Sequence, residues 1–578
     1  MEVTGPGGIY GNPNPESDPI WATGWDHRSV LLASRDQDKW NFYRMPKASH
    51  SYDGAHGWNT EWPRIRHVGS GGDADYLMTM HGMFWDFPGS FNSQNSAGIR
   101  PRSAYLKVIG DYTRWNDQLV FGTDDSAQKE FLNKRKAKGG IEGPGQSNSN
   151  LWFTALDQPD HLGPTTAEGA LYISEEIPMD KYSDPFLFAG WDQRMAWVKN
   201  EGSQQVSFAF EVDLKGDGNW TSLKKVSVGP DQAAEVIFDN HEKGEWIRVK
   251  ADNSTTGTVH FTYTDQSRYA SSKDPIFTGL AEVADQAYTG GLLYGLGENR
   301  RAMGVLSGTF IDGKFQESGY YELDAAMNLK KREDPETADF IKEKFAIPEE
   351  VIAVESSSVL VIDDSGRRWR LPLGNKAFDS MTTNGSMRIS REVATERDLF
   401  NAHGTFYELP AENADGFAKI RPIASHELTI HDYASYRGLL VLTGLQNGAK
   451  ASEHIITSED GNASVWAGTI DDLWKLGKPT GQGGPWKESS VEPNQPSDPY
   501  LIGFYDKKSL ELFHDSNQEV TFTLEVEPIG HGPWMTYKEV KVPANQVVRF
   551  DFPDTFQSRW IRFKASSSCK ASAWLTYK

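Results

Sequence analysis

Met80-His-Gly-Met-Phe-Trp-Asp-Phe-Pro88 and Ala402-His-Gly-Thr-Phe-Tyr-Glu-Leu-Pro410 are one pattern written twice in a single chain. The match continues in register on both sides. Gly98-Ile-Arg-Pro101 parallels Lys419-Ile-Arg-Pro422, and Ile109-Gly-Asp-Tyr112 parallels Ile430-His-Asp-Tyr433. Upstream, Tyr43-Arg-Met-Pro46 sits opposite Trp369-Arg-Leu-Pro372. Downstream, Ser183-Asp-Pro-Phe-Leu pairs with Ser497-Asp-Pro-Tyr-Leu, and Glu245-Trp-Ile-Arg-Val249 with Arg559-Trp-Ile-Arg-Phe563. Self-similarity at this spacing marks a repeat architecture. It divides the chain into a first repeat (1–265), an unpaired insertion (266–350) and a second, degenerate repeat (351–578).

Within each repeat the apolar residues alternate with period two, as in Val206-Ser-Phe-Ala-Phe-Glu-Val212 and Val520-Thr-Phe-Thr-Leu-Glu-Val526. That period belongs to half-buried strands. With 54 Gly and 29 Pro breaking the chain at short intervals, long helices are largely excluded. The expected class is all-β. A duplicated set of short sheets predicts a β-propeller of about seven or eight large blades, since radial repetition protects sheet edges. The alternative is propeller blades plus two β-sandwich modules near 184–265 and 497–578. The insertion carries the best helix signal, Asp334-Pro-Glu336 followed by Phe340, Ile341 and Phe345.

The net charge of −21 disfavours nucleic acid and anionic membrane surfaces as partners. No apolar run approaches the ~20 residues of a membrane span. The single cysteine, Cys569, excludes an intrachain disulfide. The polar, Gly/Pro-rich start reads as a mature N-terminus, which points to the periplasm or the cell exterior. Aromatic residues make up 12% of the chain, with 19 Trp. Exposed aromatic faces stack on the apolar face of a sugar ring, so the expected partner is a poly- or oligosaccharide.

The two repeats act as an internal control. Pairs kept in both, His81/His403, Arg100/Arg421, Asp111/Asp432 and Asp184/Asp498, read as scaffold. Functional groups concentrated in one repeat read as a site. The first repeat carries His50, Tyr52, His56, Trp58, Glu61, Trp62, Arg64 and Arg66 in one loop, where the second has a plain Gly374–Arg391 stretch. Gly24-Trp-Asp-His-Arg28 faces the plainer stretch Val354-Glu-Ser-Ser-Ser358. Asp26 with Glu61, or Glu61 with Asp86, could serve as acid and base or nucleophile on a glycosidic bond. His50, Tyr52, His56 and His81 complete the catalytic candidates. Trp58, Trp62 and Trp85 would be sugar platforms, and Arg64, Arg66, Arg100, Arg102 and Tyr105 further substrate contacts.

Metal and cofactor sites are not expected. His50-x5-His56 with Glu61 lacks a zinc-ligand spacing, and Asp213-Leu-Lys-Gly-Asp-Gly-Asn219 reads as a hairpin turn, not a calcium loop. In layout, and in the cluster His50, Tyr52, His56, Arg64 and His81, the chain resembles the β-propeller carbohydrate-active enzymes of bacterial polysaccharide utilisation. These include glycosidases and polysaccharide lyases. The resemblance implies glycosidic-bond cleavage in a complex glycan, for example one containing uronate or rhamnose. Acid/base hydrolysis is the leading expectation. β-Elimination at a His/Tyr/Arg site and non-catalytic glycan binding are the alternatives.

Overall fold

The computed structural model describes residues 9–11, 19–36, 38–54, 64–70, 75–124, 149–265, 270, 272–295, 302–311, 313–394 and 397–578. Of the candidate residues, His56, Trp58, Glu61 and Trp62 lie outside the described residues. The chain is nearly all β, with 53% of it in strands and 7% in helix, as the period-two alternation leads one to expect.

In the first repeat a large sheet runs Ile9–Gly11, Ile20–Trp25, Val30–Asp36, Lys39–Met45, Phe186–Leu187, Trp246–Ala251, Val206–Asp213, Trp220–Val228. In the second repeat the order is Ala353–Val354, Val359–Ile362, Arg368–Leu371, Tyr500–Leu501, Trp560–Ala565, Val520–Glu527, Met535–Val542. Both sheets are antiparallel except at one junction, where Phe186 pairs parallel with Arg44 and Tyr500 with Arg370. The same electrostatic clamp closes each junction. Arg44 holds Asp184 at 3.0 Å and Asp26 at 2.9 Å, and Arg370 holds Asp498 at 2.8 Å and Glu355 at 2.6 Å.

A four-stranded sheet covers each large one. It comprises Ala167–Ile177, Thr255–Thr264, Gln193–Asn200 and Gln232–Phe238 in the first repeat, and Gly481–Val491, Cys569–Tyr577, Lys508–His514 and Val548–Asp551 in the second. The inward alternate residues meet between the layers. Phe186 stacks on Phe261 at 4.8 Å, and Phe210 meets Phe238 edge-on at 5.6 Å. Across the second sandwich Trp486 meets Phe522 and Phe563. Trp21, Trp85, Trp197, Trp246, Trp466 and Trp560 are fully buried. The high tryptophan content is therefore largely core filling in the described residues, whereas the sequence suggested sugar-stacking faces.

Two smaller antiparallel sheets complete each repeat. One of them, four-stranded in both repeats, contains the pattern that opens the sequence comparison, Asp75–Met80 with Met83–Pro88 and Arg397–Ala402 with Thr405–Pro410. His81-Gly82 and His403-Gly404 are the two-residue turns of these hairpins, and all four residues have φ between 47° and 81°. Two successive left-handed residues match the twist of the flanking strands, and glycine tolerates that backbone at the second position. In addition, a Cβ on Gly82 would lie 2.8 Å from Ser49 Cβ. The His-Gly dipeptide recurs for this reason.

The insertion forms a sheet of Ala287–Gly295, Met303–Ile311, Lys314–Leu323 and Leu329–Lys331, joined by Leu445–Gln446 of the second repeat. Its helix, Pro335–Lys344, starts where Asp334 accepts from Thr337 N–H at 3.0 Å, and it buries Ile341. Asp213 accepts from the N–H groups of Lys215, Gly216 and Gly218, so this stretch is a turn. No closed propeller ring is detected among the described residues.

Candidate functional site

Residues 47–53 fold against the second repeat. Lys47 N–H and Glu168 N–H each bond the other's carbonyl, which ties the segment to the strand Ala167–Ile177. The second repeat anchors its far side. Ser49 and Ser51 both donate to Glu408 Oε1, at 2.5 and 2.9 Å, and Arg421 donates to the Ala48 carbonyl. Glu408 is itself held by Arg421 at 2.7 Å. Arg421 and Glu408 thus bridge the repeats, while the equivalent Arg100 turns to Glu245, at 2.6 and 2.7 Å, within its own repeat.

The segment places a charged network beneath a cavity. Lys47 donates to Asp53 Oδ1 at 2.5 Å and to the Asp26 carbonyl at 2.6 Å. His50 Nδ1 lies 2.6 Å from Asp53 Oδ2, and its Nε2 lies 2.9 Å from Glu168 Oε1. His81 Nε2 is 3.1 Å from Asp53 Oδ1, and Arg559 of the second repeat donates to Glu168 at 2.6 and 2.8 Å. Burial alone would raise the Asp53 carboxyl, but Lys47, His50 and His81 outweigh it and hold it well below the usual carboxylate range. Burial also opposes ionisation of Glu168, and Arg559 and His50 reverse that in the same way. Burial raises the Asp26 carboxyl too, yet Arg44 and Arg28 bring it down to about 2. The His50 imidazole is pushed down by burial and then by Lys419, against the pull of Asp53 and Glu168.

The cavity above this network has a volume of 440 Å³ and lies between the repeats. Trp25, Asp26, His27 and Asp53 line it from the first repeat, and Asp415, Lys419 and His531 from the second. Asp415, a left-handed residue at φ 72°, pairs with His531 at 3.0 Å. Of the residues proposed from sequence, the cavity and the network under it gather Asp26, His50 and His81.

The others lie elsewhere. Tyr52 is buried, with Arg397 donating to its hydroxyl at 3.0 Å. Arg64 and Arg66 pair with Asp111, and Arg102 with Asp160. Trp85 is fully buried against Trp191, and Tyr105 against Phe84. Trp85 therefore presents no open ring face.

Sequence comparison missed Lys47, Asp53, Glu168, Lys419 and Arg559. The signal was present in the aligned repeats. Lys47 faces Leu373, Lys419 faces Gly98 and Arg559 faces Glu245, while matching bridges pair Lys47 with Glu168 and Leu373 with Gln482. The asymmetric charges come from both repeats, and a search of one loop finds only half of them. The second repeat keeps a related cavity of 630 Å³, where His403 lies 2.9 Å from Asp379 and Leu373, Lys376 and Gln482 line the wall. Leu373 and Gln482 stand there at the positions of Lys47 and Glu168.

No protein-family model matches the chain, and no curated protein matches it by sequence. Among solved structures it is similar to the PBSX exported protein XepA, at 8% identity over 71% of this chain and 84% of that one, with a TM-score of 0.14. PirA is 16% identical over 18% of this chain and 94% of its own, with a TM-score of 0.11. An exo-beta-1,3-galactanase from Phanerochaete chrysosporium is 9% identical over 44% and 67%, with a TM-score of 0.13. At these scores the likenesses carry no functional argument.

Proposed function

We propose that the cavity between the repeats is a saccharide site and that the protein cleaves a glycosidic bond there. The observation that carries this reading is the cavity itself. It has room for a sugar residue, a tryptophan in its wall and the ionised Asp53 on a floor fixed by Lys47, His50 and His81. In hydrolysis an ionised, positioned carboxylate serves as base or nucleophile. The division into 1–265, 266–350 and 351–578, a ring of blades built from the smaller sheets, and a periplasmic or extracellular location belong to the same proposal.

A second reading, β-elimination, is favoured by one specific observation. Asp26, Asp53 and Asp415 all lie below their ordinary range, so none of these cavity carboxyls is held protonated to donate to a leaving oxygen. Elimination needs instead a base and a cation that neutralises a uronate carboxylate. Incubation with a panel of plant and algal glycans separates the outcomes. New reducing ends without an ultraviolet band indicate hydrolysis, and reducing ends with an enone-like band indicate elimination. Binding without product indicates a glycan-binding protein. Neither binding nor product from any glycan would overturn the saccharide reading.

A further inference from the structure

Lys419 is the least satisfied charge at the cavity. Its side chain is 5% exposed and lines the cavity, yet its ammonium makes no hydrogen bond or ion pair among the described residues. An ammonium at a cavity wall, on a residue that is otherwise buried, offers its three donors to whatever enters the cavity. The nearby carboxylates are already engaged. Asp53 is taken by Lys47, His50 and His81, Asp415 by His531, and Glu168 by Arg559 and His50. His260, which feels the Lys419 charge, is buried with Nδ1 unpartnered among the described residues. The position is special to the second repeat, because its counterpart in the first is Gly98.

We infer that Lys419 is the anion-binding group of the cavity, and that the saccharide it takes is acidic, its carboxylate or sulfate resting on the Lys419 ammonium. This rests on the saccharide reading of the same cavity. An incoming oxyanion supplies the acceptors Lys419 lacks, in a partly dry setting where charge-assisted hydrogen bonds are strong. It also relieves the repulsion between Lys419 and Arg559. Burial first and Arg559 second push the Lys419 ammonium below its ordinary range, and a bound anion would restore it. Lys419 is here a binding residue, with no part in bond breaking.

The test is calorimetric titration of the full chain with trigalacturonate, its methyl ester, a sulfated galactose trisaccharide, neutral galactotriose and sodium sulfate. Expected is binding of trigalacturonate or the sulfated sugar at least tenfold tighter than of its neutral counterpart. Lys419→Met should abolish that preference with no loss of melting temperature, and Lys419→Arg should retain it. Affinity for the acidic sugar should fall with rising pH before an ordinary lysine titrates. The preferred acid identifies carboxylate or sulfate as the source. If acidic and neutral sugars bind equally, or if Lys419→Met leaves the preference intact, the anion site is overturned while the saccharide reading stands. If sodium sulfate binds through Lys419 and no sugar does, the anion site stands and the saccharide reading falls. If nothing binds, both fall.

Discussion

Arg559 of the second repeat donates from Nη2 to Glu168 of the first at 2.6 Å, with both side chains 3% exposed. The pair crosses the repeats, and its equivalents, Glu245 and Gln482, could not form it. Removing one partner leaves the other charge buried, at a cost of about 3–5 kcal/mol. Arg559→Met should therefore lower unfolding stability by that order. Glu168→Met with Arg559→Met should recover most of the loss. A double-mutant cycle in urea measures the coupling, and additive single losses would show that the pair does not act as a unit.

Acid should loosen the contact between the repeats. Asp53, Glu168 and Glu408 all have carboxyls depressed in the folded state. Groups of that kind contribute stability that is present above the unfolded value of ~4 and lost as pH falls through the folded value. The melting temperature should fall steeply below about pH 4. Asp53→Asn should flatten that fall, and an unchanged slope would remove Asp53 from the linkage.

Glu235 works in the opposite sense. It lies on the strand Gln232–Phe238, its Oε1 is buried without a partner among the described residues, and burial raises its carboxyl to about 7 against the counter-pull of Lys538. The folded state thus favours the protonated acid, and stability present below ~4.5 is lost as pH rises through about 7. Glu235→Gln should match wild type at pH 4 and exceed it at pH 8.5, by on the order of 2 kcal/mol. Parallel chemical denaturation at the two pH values checks this.

Trp85 and Arg100 should prove structural. Trp85→Ala empties a fully buried indole site and should cost about 3–5 kcal/mol. Arg100→Ala breaks the paired contacts to Glu245. Saccharide affinity of the folded fraction should be unchanged in both. A selective loss of affinity would return these residues to the binding surface.

The strands, the repeat and the insertion helix were legible because each leaves a mark in the sequence: period-two alternation, the twice-written His-Gly pattern, an Asp-Pro helix start. The site was legible only in part, through Asp26, His50 and His81, while Asp53 in the same segment as His50 passed unnoticed. Lys419, at the end of the 3-10 turn Gly416–Lys419, and Arg559, just before the strand Trp560–Ala565, reach the cavity region from far along the chain, and nothing local marks a lysine that will be buried. The Lys419/Gly98 and Arg559/Glu245 mismatches held that information, but reading it requires that charges gained by the second repeat count as much as charges lost from it. The sequence also overvalued Trp85 and Arg102, because a residue's chemistry does not reveal that Trp191 or Asp160 already occupies it.

The most direct measurement compares glycan turnover by wild type, Asp53→Asn and Asp379→Asn, the last altering the related cavity of the second repeat. Loss of about 100-fold or more in Asp53→Asn, with wild-type turnover in Asp379→Asn and binding retained in both, is the predicted result. Undiminished turnover in a folded Asp53→Asn protein would contradict the placement of the site between the repeats.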